Sequence, residues 1–195
     1  MANGKVCTGF SYPVVALYGH TGSTVTYTNG QPLARGVSVQ VSPEASDDNN
    51  FYADNVVAES AAGRFSGGEV TLTVDGLKAA ARRLIHGLPA AGADGFVAFG
   101  NDSVTPYCGA GWIARFMEAG VTTYVPTVLT KVMFAQDEDN AATQEEDIDW
   151  QTSELKAKIF RDDSANQNWK FVHDTGFEDE ADAIAALNTK LGISG

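Results

Sequence analysis

The chain has 195 residues, 44% of them hydrophobic, which suits one globular domain burying roughly 70% of its unfolded surface and excludes a disordered chain. Its 25 acids against 13 bases leave a net charge of −12, and no Lys/Arg cluster able to neutralise phosphates is present, which argues against nucleic-acid binding and against anionic membrane surfaces. The nearest approach is Lys78, Arg82 and Arg83 on a predicted helix, where cations ordinarily complement the C-terminal end. The opening MANGKVCTGF lacks a signal-peptide pattern and no apolar run reaches the length of a membrane span, so the expected site of synthesis and residence is the cytoplasm.

Period-two patterns dominate the first third. Val25 and Tyr27 alternate with Thr24, Thr26 and Thr28, and Asn29-Gly30 is a tight-turn signal. Beyond Pro32, Val37, Val39 and Val41 alternate with Ser38, Gln40 and Ser42, so the two runs predict a hairpin with one dry face. Pro43 and residues 44–50 (EASDDNN) begin a polar loop expected to reach about residue 58. Val70, Leu72 and Val74 then mark a strand over Glu69–Asp75. Asp75 is placed to cap a helix over residues 76–86, with Leu77, Ala81, Leu84, Ile85 and Leu88 as its apolar stripe and Gly87 as its stop.

Residues 95–134 read as three further strands, 96–99, 109–117 and 122–134. Pro126 within the last argues for an edge or a bulge. Asp137 to Asp149 (DEDNAATQEEDID) carries seven carboxylates and leads into Trp150, which predicts a long acidic loop outside the core. A strand follows around Leu155, Ala157 and Ile159. Thr175 and Glu178 have capping-box spacing and open a last helix through Ile184, Leu187 and Leu191, stopped by Gly192. The expected fold class is α+β and β-rich: a single sandwich or barrel domain with one packed amphipathic helix, long acidic loops and a short C-terminal helix.

Patterns that carry chemistry fail on their key positions. Residues 19–24 (GHTGST) hold Gly22 where a phosphate loop needs Lys, and read as a hairpin tip. A calcium loop begun at Asp137 meets Ala142 at its glycine position and Ile148 at its bidentate position; one begun at Asp47 meets Tyr52 at the glycine position. Residues 63–67 (GRFSG) miss the nucleophile-elbow pattern, and His20, His86 and His173 share no ligand spacing. Paired acids such as Glu145 and Glu146 have no apolar surroundings to raise a pKa. The expectation is a non-catalytic protein with no cofactor and no metal. Cys7 and Cys108 read as small thiols in a reducing compartment, with their pairing left open.

Several segments in order resemble the major tail protein family of phages with long non-contractile tails. They are residues 35–43, 50–55 (NFYADN), 68–77 (GEVTLTVDGL), 109–124 (GAGWIARFMEAGVTTY), 141–152 (AATQEEDIDWQT) and the closing helix over 178–191. The resemblance implies a structural virion protein of tail-tube type. Its subunits form hexameric rings stacked around a tape-measure protein, assembled in the host cytoplasm together with tail-tip and terminator proteins, and the tube passes double-stranded DNA without holding it. On that reading Asp47, Asp48, Tyr52, Asp54, Glu145, Glu146, Asp147, Asp149 and Trp150 are expected at contacts between subunits, and Glu69 and Asp75 as acids facing the lumen. Two alternatives share much of the pattern. One is a β-sandwich binding module using Tyr52, Trp112 and Trp150 as platforms for a carbohydrate or protein ligand. The other is a terminator or connector ring that never stacks.

Overall fold

Alternating sequences bury one face, and here that face becomes the inside of a curled sheet. The computed structural model describes residues 4–101, 103–138, 143 and 151–193. Its elements are β1 (Val6–Thr21), β2 (Thr24–Pro32), β3 (Gly36–Ala45), β4 (Asn49–Ala53), β5 (Val56–Ala61), β6 (Phe65–Val74), α1 (Ala79–His86), β7 (Cys108–Glu118), β8 (Val121–Phe134), β9 (Ser153–Phe160), β10 (Lys170–Val172) and α2 (Glu180–Lys190). Eight strands form one antiparallel sheet in the order β2-β1-β7-β8-β9-β6-β3, with β10 pairing β8, while β4 and β5 pair only with each other. The chain is thus a β-rich α+β protein.

Val70, Leu72 and Val74 of β6 meet Ala157, Leu155 and Ser153 of β9 in register, so both apolar sets fall on one side. Val15, Ala110, Trp112, Leu129 and Val132 line the other half of the same core, and Ala81 and Ile85 of α1 cover it. The sheet curls until β3 comes against the first half of β1, where the Phe10 ring lies so close to Gly36 that a Cβ there would sit 2.0 Å from Cε1. A second apolar layer lies outside the curl: Ala183, Leu187 and Leu191 of the α2 region pack on Val14, Ala16, Ile113 and Val128. Burying Leu187 and Leu191 contributes roughly 1.5–3 kcal/mol each. Gly111 permits that contact, since a Cβ would fall 2.6 Å from Leu187 Cδ1 and 3.1 Å from the Thr127 carbonyl oxygen.

Several expectations are corrected. The runs 24–28 and 35–41 do not form a hairpin with each other: β2 pairs β1, and β3 pairs β6. Asn29-Gly30 instead makes a bulge inside β2, with Asn29 at φ 54, and the true hairpin tip is at Gly22 (φ 57) between β1 and β2, within the stretch read as a tip. Val37 is 54% exposed because the β3–β6 register slips between Gly36 and Ser38, turning it away from Val39 and Val41. Residues 44–58 are not a loop but the end of β3 and most of a second hairpin. Residues 96–99 form no strand.

Pro126 lies mid-sheet in β8 rather than at an edge. Its carbonyl accepts from His173 N at 3.0 Å, so its hydrogen-less nitrogen faces the same side, just beyond the end of β10, where the ladder lapses. Asp75 does not cap α1. Its carboxylate receives the Arg35 backbone N–H (2.9 Å) and side chain, and α1 begins later, after Lys78, with no side-chain cap. The Thr175–Glu178 box is likewise unused. Phe177 exchanges both backbone hydrogen bonds with Tyr124 (2.8 Å each), which holds that stretch extended, and Asp179 caps α2 by accepting from Ala181 N at 2.7 Å. The stops hold: Gly87 (φ 61) and Gly192 (φ 59) are left-handed, and Gly87 N–H reaches back into α1.

Candidate functional site

Among the described residues, the paired element with least support from the rest of the fold is the β4–β5 hairpin. Asp54 and Asn55 form its turn at φ 51 and 66, as a two-residue loop demands. Register puts Ala53 opposite Val56, Tyr52 opposite Val57 and Phe51 opposite Glu59, so Phe51, Ala53, Val56 and Glu59 share one face and Tyr52 and Val57 the other. Every residue of both strands is exposed, with Phe51 at 64%, Tyr52 at 62% and Val56 at 63%. The base is tied by Ser46 N–H to the Arg64 carbonyl (2.8 Å) and by Gly63 N–H to the Asp48 carboxylate (2.7 Å). A two-stranded hairpin with both faces wet is marginal alone.

Of the residues expected at subunit contacts, Asp47, Asp48, Tyr52 and Asp54 gather on this arm. Glu145, Glu146, Asp147, Asp149 and Trp150 lie outside the described residues. Asp137, at the root of the acidic segment, is not a solvated acid: it is only 11% exposed, with Oδ2 2.9 Å from Nε2 of buried His86 and 3.3 Å from Arg82 Nε. The expectation that this segment stays clear of the core therefore fails at its first residue. The reason is a pair of cationic or polar side chains one helical turn apart on α1.

Neither Glu69 nor Asp75 is an isolated negative charge. Glu69 pairs in register with Lys158, and the Arg35 guanidinium beside Asp75 holds its carboxyl below the usual carboxylate range, backbone donation helping and desolvation opposing. The exposed face of β3, β6 and β9 is polar and of mixed sign, with Ser38, Gln40, Thr73, Glu154 and Lys156 on it.

A second exposed apolar segment was not expected. The α1–β7 connection over residues 88–107 has no regular element among its described residues, and Phe96, Phe99 and Val104 are exposed by 77%, 60% and 75%. Its sequence, with alternating Ala, Gly and Phe, imitates a strand without a partner to pair with.

Sequence reasoning also missed a polar cluster built by residues distant in the chain. Asp163 Oδ2 accepts from Lys131 Nζ and from the Tyr18 hydroxyl, each at 2.7 Å, and Asp163 N–H returns a bond to that hydroxyl at 2.8 Å. The Lys131 ammonium also lies 5.0 Å from the Tyr18 ring centre and 4.6 Å from that of Tyr107. Burial first, then the hydrogen bond to Asp163, pushes the Tyr18 phenol up to about 12. Lys131 first, then Tyr18, holds Asp163 below its ordinary value. The groups satisfy one another, and the arrangement clamps residues 161–169 to β1 and β8, as the Phe65–Trp169 ring stack (4.5 Å) does to β6. No spacing in sequence could reveal it.

Trp112 is 5% exposed in the core, not a surface platform, and of the three aromatics considered for ligand stacking only Tyr52 is exposed among the described residues. Cys7 pairs in register with Phe116 and Cys108 with Leu17, at opposite ends of the β1–β7 ladder, so they form no disulfide within the chain. Burial pushes the Cys108 thiol up to about 12. Among the described residues no three His, Cys, Asp or Glu side chains converge as metal ligands, and no helix is long and apolar enough to cross a membrane. Comparison with known protein families and with curated proteins finds no match.

Proposed function

We propose that this chain is a repeating structural subunit: the major tube protein of a phage tail, assembled as stacked rings around a tape-measure protein. The observation that carries the reading is the β4–β5 arm. It exposes Phe51, Tyr52, Val56 and Val57 on a hairpin of which every strand residue stands clear of the other described residues' core. Such a surface is a liability in a monomer and is accounted for when another copy covers it. The ordered resemblance to tail proteins supplies the identity of the assembly, and the curled antiparallel sheet with a helix on its outer face is compatible with it.

The edge strand β2 supports the same reading, because its outer side pairs with no other strand among the described residues and can accept a neighbour's. Passage of DNA without adhesion rests, on this account, on the chain's net charge of −12, with Asp75 offset by Arg35 and Glu69 standing opposite Lys158 in the β6–β9 register. Tail-tip and terminator proteins are the expected partners at the two ends of the tube.

Electron microscopy of the concentrated protein tests the proposal. Hollow tubes or stacks of rings are expected, with tail-tip protein added where the chain needs a nucleus. Single rings that never stack would assign the chain to a terminator or connector. A monomer under every condition, with tail-tip and tape-measure protein present, would move it to the class of binding modules.

A further inference from the structure

The arm and helix α1, which carries Arg82 and Arg83, lie at opposite ends of the β3–β6 ladder. Ala45 and Phe65 close the β3–β6 ladder at the arm, whereas Gly36 and Val74 close it beside α1. With ten residues in β3 the two ends are roughly 30 Å apart. An arm leaving one end therefore cannot reach the other end of its own chain, but it can reach that end of a copy placed head to tail.

A shallow cleft of about 390 Å³ lies between the end of α1, β1 and the segment before β7, lined by Leu17, Leu84, Leu88 and Pro106 with Arg83 at its side. Arg83 makes no ion pair among the described residues. Between Ala45 and Gly63 the arm carries Asp47, Asp48, Asp54 and Glu59 and no Lys or Arg. Glu59 stands beside Phe51 on one face of the arm, as Arg83 stands beside the apolar lining of the cleft.

We propose that Phe51 of one copy enters the Leu17–Leu84–Leu88–Pro106 cleft of the next, with Glu59 pairing with Arg83 of that copy. This rests on the self-assembly reading and names the contact that propagates it. The contact is heterologous and joins opposite ends, so it repeats along an axis and never closes on two copies. It also gives Arg83 a role beyond complementing its helix end. Opposite charges beside an apolar anchor set register and direction, because a reversed copy would bring arm to arm and acid to acid.

A charge swap tests the pairing. Glu59→Arg and Arg83→Glu should each raise the protein concentration needed for assembly about tenfold, and the double variant should restore most of it. Phe51→Ser should impair assembly with the ion pair intact. Circular dichroism and the unfolding midpoint of each variant separate lost assembly from lost folding. Normal assembly by both single charge variants, or a double variant worse than either, would overturn the contact and leave the tube proposal standing. A wild-type chain that never assembles would overturn both.

Discussion

Phe51 and Glu59 face each other across the β4–β5 ladder, and both stand in solvent. An aromatic ring beside a carboxylate on a bare hairpin gives little to the chain that carries it. Replacing residues 46–63 by a short Gly-Ser turn should therefore change the folding stability of the monomer by less than about 0.5 kcal/mol. Urea unfolding of both proteins at a concentration too low for assembly checks this, and a loss of several kcal/mol would mean that the arm supports the core.

The α2 layer should behave in the opposite way. Leu187→Ala leaves a hole between the helix and β7–β8 and should cost roughly 2–5 kcal/mol. Gly111→Val drives a side chain into Leu187 and the Thr127 carbonyl and should cost about 1–3 kcal/mol. If either variant unfolds at the wild-type midpoint, α2 is not packed as described.

Acid should weaken the fold through Asp163 and Asp75, whose folded pKa values are lowered by Lys131 and Arg35 respectively. A carboxyl with a lowered folded pKa binds fewer protons folded than unfolded near pH 4. Its contribution is full above roughly that pH and is lost as pH falls through the folded value. Thermal midpoints should drop below about pH 4, and Asp163→Asn should lower the neutral-pH midpoint while flattening the drop. A variant with the wild-type acid profile would contradict the assignment.

At high pH the sign reverses. Tyr18 is pushed up to about 12, and Tyr27 is raised further by burial and then by the charge of Asp162. Both phenols hold their proton more tightly in the folded chain, so their contribution is full below roughly pH 10 and is lost as pH rises through the folded values. Phenolate absorbance should rise in two stages, the later one coinciding with unfolding. Complete ionisation of all tyrosines well before unfolding would contradict the burial of Tyr27.

Much of the interior was legible because burial writes itself as alternation. Val70, Leu72 and Val74, then Leu155, Ala157 and Ile159, reached the core as their period requires. What misled was local chemistry outvoted by long-range pairing. Asn29-Gly30 has turn composition, yet β1 holds β2 in line through it as a bulge; Phe177 would start a helix were it not bonded to Tyr124. The arm is hidden in the sequence because residues 44–50 are polar, whereas its strands β4 and β5 pair only a few residues each. Lys131, Tyr18 and Asp163 meet only through the fold.

Sedimentation of the intact chain beside the chain lacking residues 46–63 tests the central claim most directly, with folding confirmed for both. The intact protein should form fast-sedimenting assemblies above a threshold concentration, and the armless protein should stay monomeric well beyond it. Equal sedimentation of the two, assembled or not, would contradict an account in which the arm joins one copy to the next.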